Sequence, residues 1–382
     1  MTQGGTTIKP KPKAWMNIIK AAAFILIGAL LFTWISYMMR PAGDERKNVV
    51  GFYAEPDDTL DIVALGTSTT VMYWMPLKVW NEYGITSYNF ATNNTPPQVM
   101  KYYVTEMLKT QHPDLLLVDL RPFQYGPQLN TEERIVGLRY SSDSFNYSWN
   151  RHDMINNSLP EGENPWPYYF DIALYHNDAE GLPTPEQVQL SLNNSHNYMK
   201  GFLFKEEHSV VERVEVGEIT EKLAIDGEME ALLEEFMDTC EQNGLDVLFF
   251  VPPYSMMPHE DDGDYDITDD QRMHNYMEDL VRARGFDYIN CNNYYDEIGL
   301  DFEIDFYNRS HVNIFGAEKF TDFMTSYILQ NHQFTDKRSD PAYARWNEDY
   351  AQYAPQAQDT KEVIQWIIEN EDHVTENPDG SG

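Results

Sequence analysis

The stretch DIVALGTSTTVMYW, residues 61–74, starts as an apolar strand and turns abruptly small and hydroxylic at Gly66-Thr67-Ser68-Thr69. An unbroken apolar run has no face to offer water, so it reads as a parallel strand covered on both sides. Four more runs read as strands: TSYNFA (86–91), DLLLVDL (114–120), DVLFFVP (246–252) and FDYINC (286–291). Amphipathic stretches separate them, which is the alternation of an α/β fold. Helical periodicity is clearest over 220–242, where Leu223, Ile225, Met229, Leu232, Leu233 and Phe236 fall mostly on one side, and Gly244 closes that helix as a C-cap. Pro96 and Pro97 open another helix, QVMKYYVTEMLKT, leading into the third strand. A parallel strand ending at Ser68 presents a hydroxyl at the carboxyl edge of the sheet, where open α/β folds bind ligands. Serine also caps helices, and the tetrapeptide alone fits either role.

Outward from this core, the N-terminus carries Lys9, Lys11 and Lys13, then the uncharged run AAAFILIGALLFTWISYMM over residues 21–39, then Arg40 and Pro41. At 1.5 Å per residue this run reaches about 28 Å, the thickness of a bilayer's hydrocarbon core. It has no polar stripe, as a core helix would, and no A-x-A-like cleavage site follows it. The expected arrangement is a cytoplasmic tail (1–17), a membrane anchor (18–40) and an extracytoplasmic domain from about residue 45. Arg40, Arg46 and Lys47 beyond the run weaken the charge bias behind that orientation.

With 27 Lys and Arg against 62 Asp and Glu, the formal charge is −35, which repels phosphate backbones and excludes nucleic acid as a partner class. Cys240 and Cys291 read as core thiols or at most one bridge, and neither belongs to a metal-binding Cys/His cluster. No metal or other cofactor is expected.

The domain spans 45–332. Residues 124–218 interrupt it, dense in Asn, Tyr, Trp and Pro and without long periodic segments, as an insertion that serves as a lid or binding wall or is a structural excursion. An acidic extension (333–382) follows, with one short amphipathic helix through Val363, Trp366 and Ile367 and a frayed NPDGSG end.

Near the end of the domain, DFYNRSHVNIFGAEKFTDFMTSYI (305–328) places His311 on a loop before an amphipathic helix carrying Phe320, Phe323, Met324 and Ile328. A hydroxyl at the end of the first strand and an imidazole just before the closing helix are what a nucleophile and its general base require. The other nine histidines are scattered, with no pair at helical spacing for a metal.

Ser68 in LGTST resembles the first block of the SGNH (GDSL-like) hydrolase superfamily, and His311 in NRSHVNIFGAEKF resembles its last block. The anchor and the VPPY after the fourth strand are similar to its membrane-anchored cell-surface members of the DltD and AlgX/AlgJ types. The resemblance covers residues 60–125 and 220–330. It implies a three-layer α/β/α sandwich with a parallel sheet, Ser68 as nucleophile, His311 as base, and a third member three residues before the histidine. That position holds Asn308 in place of the usual aspartate. Its amide oxygen can accept the Nδ1 proton but stabilises an imidazolium less than a carboxylate does, and Asp305 is the alternative orienter. The superfamily's oxyanion blocks are incomplete: Ala91 stands where a glycine is expected, and VDLRPF lacks the asparagine. The Ser68 amide remains, with Asn89, Asn93 and Asn94 as side-chain donors at the same edge. Arg121 reads either as an anion-binding group or as a partner for one of the many carboxylates.

HEDDGDYDITDD (259–270) looks like a calcium loop but lacks the glycine and glutamate an EF-hand needs, and reads as a solvated acidic loop beside the site, with a weak divalent-ion site as the alternative. The sequon Asn308-Arg309-Ser310 would plant a glycan beside the base in a glycosylating secretory pathway, which fits a bacterial surface better. The resemblance therefore implies acyl-ester chemistry on a cell-surface glycan or glycopolymer, by an esterase or an O-acyltransferase working beside a membrane-bound O-acyltransferase. The alternative from another class is a non-catalytic polysaccharide-binding or scaffolding partner of such a transferase.

Overall fold

The computed structural model describes residues 14–125, 131–176, 183–193, 195–214, 219–255 and 268–374. Lys9, Lys11, Lys13, most of the acidic 259–270 loop and the NPDGSG end lie outside them. The chain is a mixed α/β protein built on a parallel five-stranded sheet: β1 Ile62–Leu65, β2 Ser87–Asn89, β3 Leu115–Asp119, β4 Val247–Val251 and β5 Asp287–Asn290, in the order β2-β1-β3-β4-β5. All five fall within the runs expected from the sequence. Every residue of β1, β3 and β4 is buried, so no alternation was there to read.

Ahead of the sheet run α1 (Ala14–Met38) and α2 (Asp44–Tyr53). Side chains from Trp15 to Ile35 are exposed apart from half-buried Met16 and Thr33, whereas Ser36 to Arg40 are buried. The Trp15–Met38 segment, with a mean hydropathy of 2.3, is one helix long and apolar enough to cross a membrane. Between β1 and β3 come α3 (Ser68–Tyr73), α4 (Pro76–Tyr83) and α5 (Met100–Met107), the last preceded by a 3₁₀ turn at Pro97–Val99.

The insertion differs from its sequence reading. Up to Ser191 its described residues are mostly helical: α6 (Arg121–Tyr125), α7 (Thr131–Ser144), α8 (Trp149–Ser158), α9 (Trp166–Tyr169), α10 (Ile172–Tyr175) and α11 (Pro185–Ser191). The buried face of α7 is Gly137, Leu138, Ser141, Ser142, Asp143 and Ser144, so there was almost no apolar period to detect.

The helix expected over 220–242 is α12 (Gly227–Gln242), shorter at its start. Asp226 accepts the Glu228 and Met229 amides and caps it. The Leu223 amide instead donates to the Arg272 carbonyl, holding the preceding stretch extended. Gly244, at φ +65°, takes the left-handed conformation that ends the helix.

After β4 come α13 (Asp269–Ala283), β5, α14 (Tyr295–Ile298), an antiparallel hairpin of β6 (Phe306–Asn308) and β7 (His311–Val312), and α15 (Ile314–Ile328). His311 thus lies on a short strand and not on a loop. The Asn313 side chain caps α15 by accepting the Phe315 amide. Thr321 on α15 donates to the Tyr73 carbonyl and accepts the Met75 amide, which fixes α15 against the α3–α4 joint.

The C-terminal extension also departs from expectation. In place of a short helix it forms α16 (Ala344–Val374), which packs on α4 through Trp346, 5.4 Å from the Trp80 ring. Its buried residues are Trp346, Asp349, Tyr353, Ala357, Thr360 and Ile364, a helical stripe with two polar members, and Pro355 lies within the helix. Those interruptions hid its length from a periodicity argument. Cys240 and Cys291 are separate buried thiols, which excludes the bridge.

Candidate active site

The site grows from the end of β1. The chain leaves the strand at Gly66, and Ser68 becomes the first helical residue of α3, preceded by Thr67 at the N-cap position in an extended conformation with no side-chain capping bond. Gly66 is set by close approach: a Cβ there would collide with the Thr70 Oγ1 and lie 2.6 Å from the Asp119 Cβ. Asp119 ends β3, next to β1 in the sheet. Its buried carboxylate accepts the Thr69 hydroxyl on one oxygen and the Arg121 amide, at 2.9 Å, on the other. Burial raises the Asp119 pKa to about 6 against those hydrogen bonds. One carboxylate therefore ties the turn that carries Ser68 to the exit of the neighbouring strand.

The second half comes from the β6–β7 hairpin, in which Asn308 pairs directly with His311 across a two-residue turn. That turn is why a spacing of three brings the two side chains together. Ser68 Oγ lies 2.7 Å from His311 Nε2, across 243 residues of sequence. On the other side of the ring, Nδ1 lies 3.1 Å from Asn308 Oδ1. The same Asn308 oxygen accepts the Ser310 amide at 2.9 Å, and an amide N–H only donates, so the atom facing the ring is the carbonyl oxygen. His311 Nδ1 must then carry its proton, which leaves the Nε2 lone pair for the Ser68 hydroxyl.

The hairpin turn is held firmly. The Ser310 carbonyl accepts from Arg121 Nη1 at 2.8 Å and from the Tyr73 hydroxyl at 3.1 Å, and the Arg309 carbonyl accepts the Ser255 amide at 2.8 Å. The Tyr307 ring stacks on the imidazole, with centroids 5.3 Å apart. His311 is pulled down to about 3, first by burial and then by the positive charges of Arg121 and Lys205. The imidazole is consequently neutral at any ordinary pH, its Nε2 lone pair unprotonated but of low proton affinity. The imidazolium formed on accepting a proton would meet two cations and an amide dipole, and among the described residues no carboxylate is hydrogen-bonded to the ring to steady it. Those same cations would favour negative charge developing on a substrate.

The other expected site residues are placed differently. Asp305 is occupied away from the histidine: its carboxylate accepts the Asp301 amide at 2.7 Å and Lys319 Nζ at 2.6 Å. Asn89 is fully buried and its amide donates to the Trp74 carbonyl at 2.8 Å, joining β2 to the end of α3. Asn93 donates to Glu45 Oε1 at 2.8 Å. Asn94 is exposed at φ +49° in a loop that reaches the Ser68 turn through the Thr95 amide, 3.3 Å from the Thr67 hydroxyl. Arg121 is buried, over the Tyr254 ring at 4.3 Å, and bridges to the hairpin.

Asp119, Tyr73, Lys205 and Tyr307 were not singled out from the sequence. Only Asp119 carried a signal there, a charge closing an otherwise apolar strand. Lys205 belongs to an extended segment whose Leu203 amide bonds to the Val71 carbonyl of α3 and whose Ser209 amide bonds to the Phe306 carbonyl of β6. That path along the site is set by tertiary contacts alone. Among the described residues, no three His, Cys, Asp or Glu side chains gather as a metal-binding set.

No family model matches the chain, and no curated protein matches it either.

Proposed function

We propose that the chain is a membrane-tethered serine esterase or O-acyltransferase of the SGNH type, its sheet and helices forming a three-layer α/β/α sandwich outside the cytoplasm. The observation that carries this reading is the 2.7 Å approach of Ser68 Oγ to His311 Nε2, with Asn308 fixing the tautomer. Ser68 attacks the carbonyl carbon of an acyl ester while its proton passes to His311 Nε2. The tetrahedral intermediate then expels the alkoxide, which takes that proton, and the acyl group stays on Ser68. Water as second acceptor makes an esterase; a sugar hydroxyl makes a transferase.

The tether and the resemblance together favour a cell-surface glycan or glycopolymer as acceptor, with a membrane-bound O-acyltransferase as supplier of acyl groups. The insertion's aromatic residues lend less to the glycan assignment than the sequence suggested, since Tyr147 and Phe170 pack on Tyr37 and Phe32 of α1. A second reading, a non-catalytic binding or scaffolding partner, is favoured by Asn308 and by the cations facing the imidazole.

Hydrolysis of an aryl acetate by the full chain in nanodiscs, compared between wild type and Ser68→Ala, separates the two. Turnover lost on substitution, with the thermal midpoint unchanged, supports the acyl-enzyme. Equal rates in the two proteins favour the scaffold.

A further inference from the structure

The insertion does more than lengthen the domain: it runs alongside the anchor. The Phe170 ring lies 5.9 Å from that of Phe32, the Ile172 amide donates to Ser36 Oγ at 3.0 Å, and the Tyr37 hydroxyl donates to Asn146 Oδ1 at 2.7 Å. Arg40 closes the line, with Nε 3.1 Å from Asp171 and both side chains wholly buried. The insertion therefore contacts the helix at least as far down as Phe32. That residue is six positions inside the end of the apolar segment, about 9 Å below Met38.

The part of the insertion at that depth is PWPYYFDIAL, residues 165–174, whose single charge, Asp171, is consumed by Arg40. Trp166 stacks on Phe170 with centroids 5.8 Å apart and is 63% exposed; Leu174 is 46% exposed, and Ala173 is exposed between them. On the anchor at the same level, Trp34 and Ile35 are exposed as well. In a chain of charge −35, an exposed apolar surface continuous with a helix of membrane-spanning length, and bordered in sequence by exposed Glu163, Asn164 and His176, has the mixed character of an interfacial surface.

We propose that residues 165–174 form a collar that inserts into the lipid headgroup and upper acyl region around the anchor, with Trp166 and Leu174 facing lipid. Depths of 5–10 Å are usual for interfacial segments, about what the Phe32 contact requires. The collar, joined to the anchor by the Arg40–Asp171 pair, would hold the Ser68 site at a fixed height and tilt above the bilayer. The high negative charge of the chain makes a zwitterionic surface the appropriate probe.

The test uses the full chain in phosphatidylcholine nanodiscs. Trp166→Cys, Leu174→Cys and Leu26→Cys, each labelled with an environment-sensitive fluorophore, are titrated with iodide in water and with a lipid bearing a shallow nitroxide; Cys240 and Cys291 are buried. The collar predicts that emission at 166 and 174 falls at least twofold with the lipid quencher and is unmoved by iodide. Quenching by iodide at either position, with position 26 protected from it, overturns the collar while leaving the anchor intact. Protection from both quenchers at 166 and 174 means that a second copy covers the patch and overturns it equally. Iodide quenching at 26 rejects the anchor itself, and the collar with it.

Discussion

At the scale of single residues, the decisive position is Asn308. An aspartate there would place a carboxylate against His311 Nδ1, keeping the tautomer and adding the charge that an imidazolium lacks beside Arg121 and Lys205. Asn308→Asp is expected to raise the ester turnover number about tenfold or more and to move the acid limb of its pH profile upward, towards the ordinary histidine range. On the proposed mechanism the neutral imidazole is the competent form, and burial and the neighbouring cations pull it down to about 3, so kcat/KM should stay flat from pH 7 down to about pH 5. A native profile falling with a midpoint near 6.5 would contradict the electrostatics described here. The pairing of Ser68 with His311 was legible in the sequence only as two weak signals on the right elements. The fates of Asn89 and Asn93 were not legible, because the Trp74 carbonyl and Glu45 that claim their amides are tertiary neighbours.

At the scale of elements, the turn from β1 into α3 carries the site, and Gly66 is its tightest point. Gly66→Ala forces a methyl group against Thr70 and Asp119, which should cost about 1–3 kcal/mol and displace Ser68. Chemical denaturation and acetate hydrolysis measured on one preparation would show both effects; a variant of native stability and full activity would refute the close packing. Strands β1, β3 and β4 were legible because fully buried parallel strands are written as nearly unbroken apolar runs between turn residues, whereas β2 and β5 are short and mixed and were marked by their aromatic and β-branched residues. Helices α7 and α16 were not, for opposite reasons. The face of α7 that packs inward is mostly serine, glycine and aspartate, whereas α16 has a true stripe that includes polar Asp349 and Thr360, with the helix-breaking Pro355 on its exposed side. The β6–β7 hairpin was missed because a strand of two residues has no period at all.

At the scale of the whole molecule, buried titrating groups tie stability to acidity. His274, buried against Gln124 Oε1 at 2.9 Å and near Asp270, is pulled down to about 4 mainly by burial. Between about 4 and 6.5 the unfolded chain therefore binds a proton that the folded chain refuses, so this residue withdraws stability as pH falls through that window. Burial raises Asp119 to about 6 and works in the opposite sense between 3.8 and 6. Replacing His274 by glutamine should thus flatten the fall of unfolding free energy with acidification by about 1.4 kcal/mol per pH unit between pH 6 and 4.5. Identical slopes in urea titrations of the two proteins would rule out a neutral buried imidazole. Arg40 and Asp171 join the N-terminal apolar helix to the insertion, so the proposed chemistry is best tested on the full chain in a bilayer. The most direct measurement is fluorophosphonate labelling of that chain in nanodiscs, with the modified peptide identified by mass spectrometry, for wild type, Ser68→Ala and His311→Ala. A serine armed by His311 predicts stoichiometric label on Ser68, none in Ser68→Ala and a rate at least a hundredfold lower in His311→Ala; a folded wild-type chain that takes no label at Ser68 would contradict it.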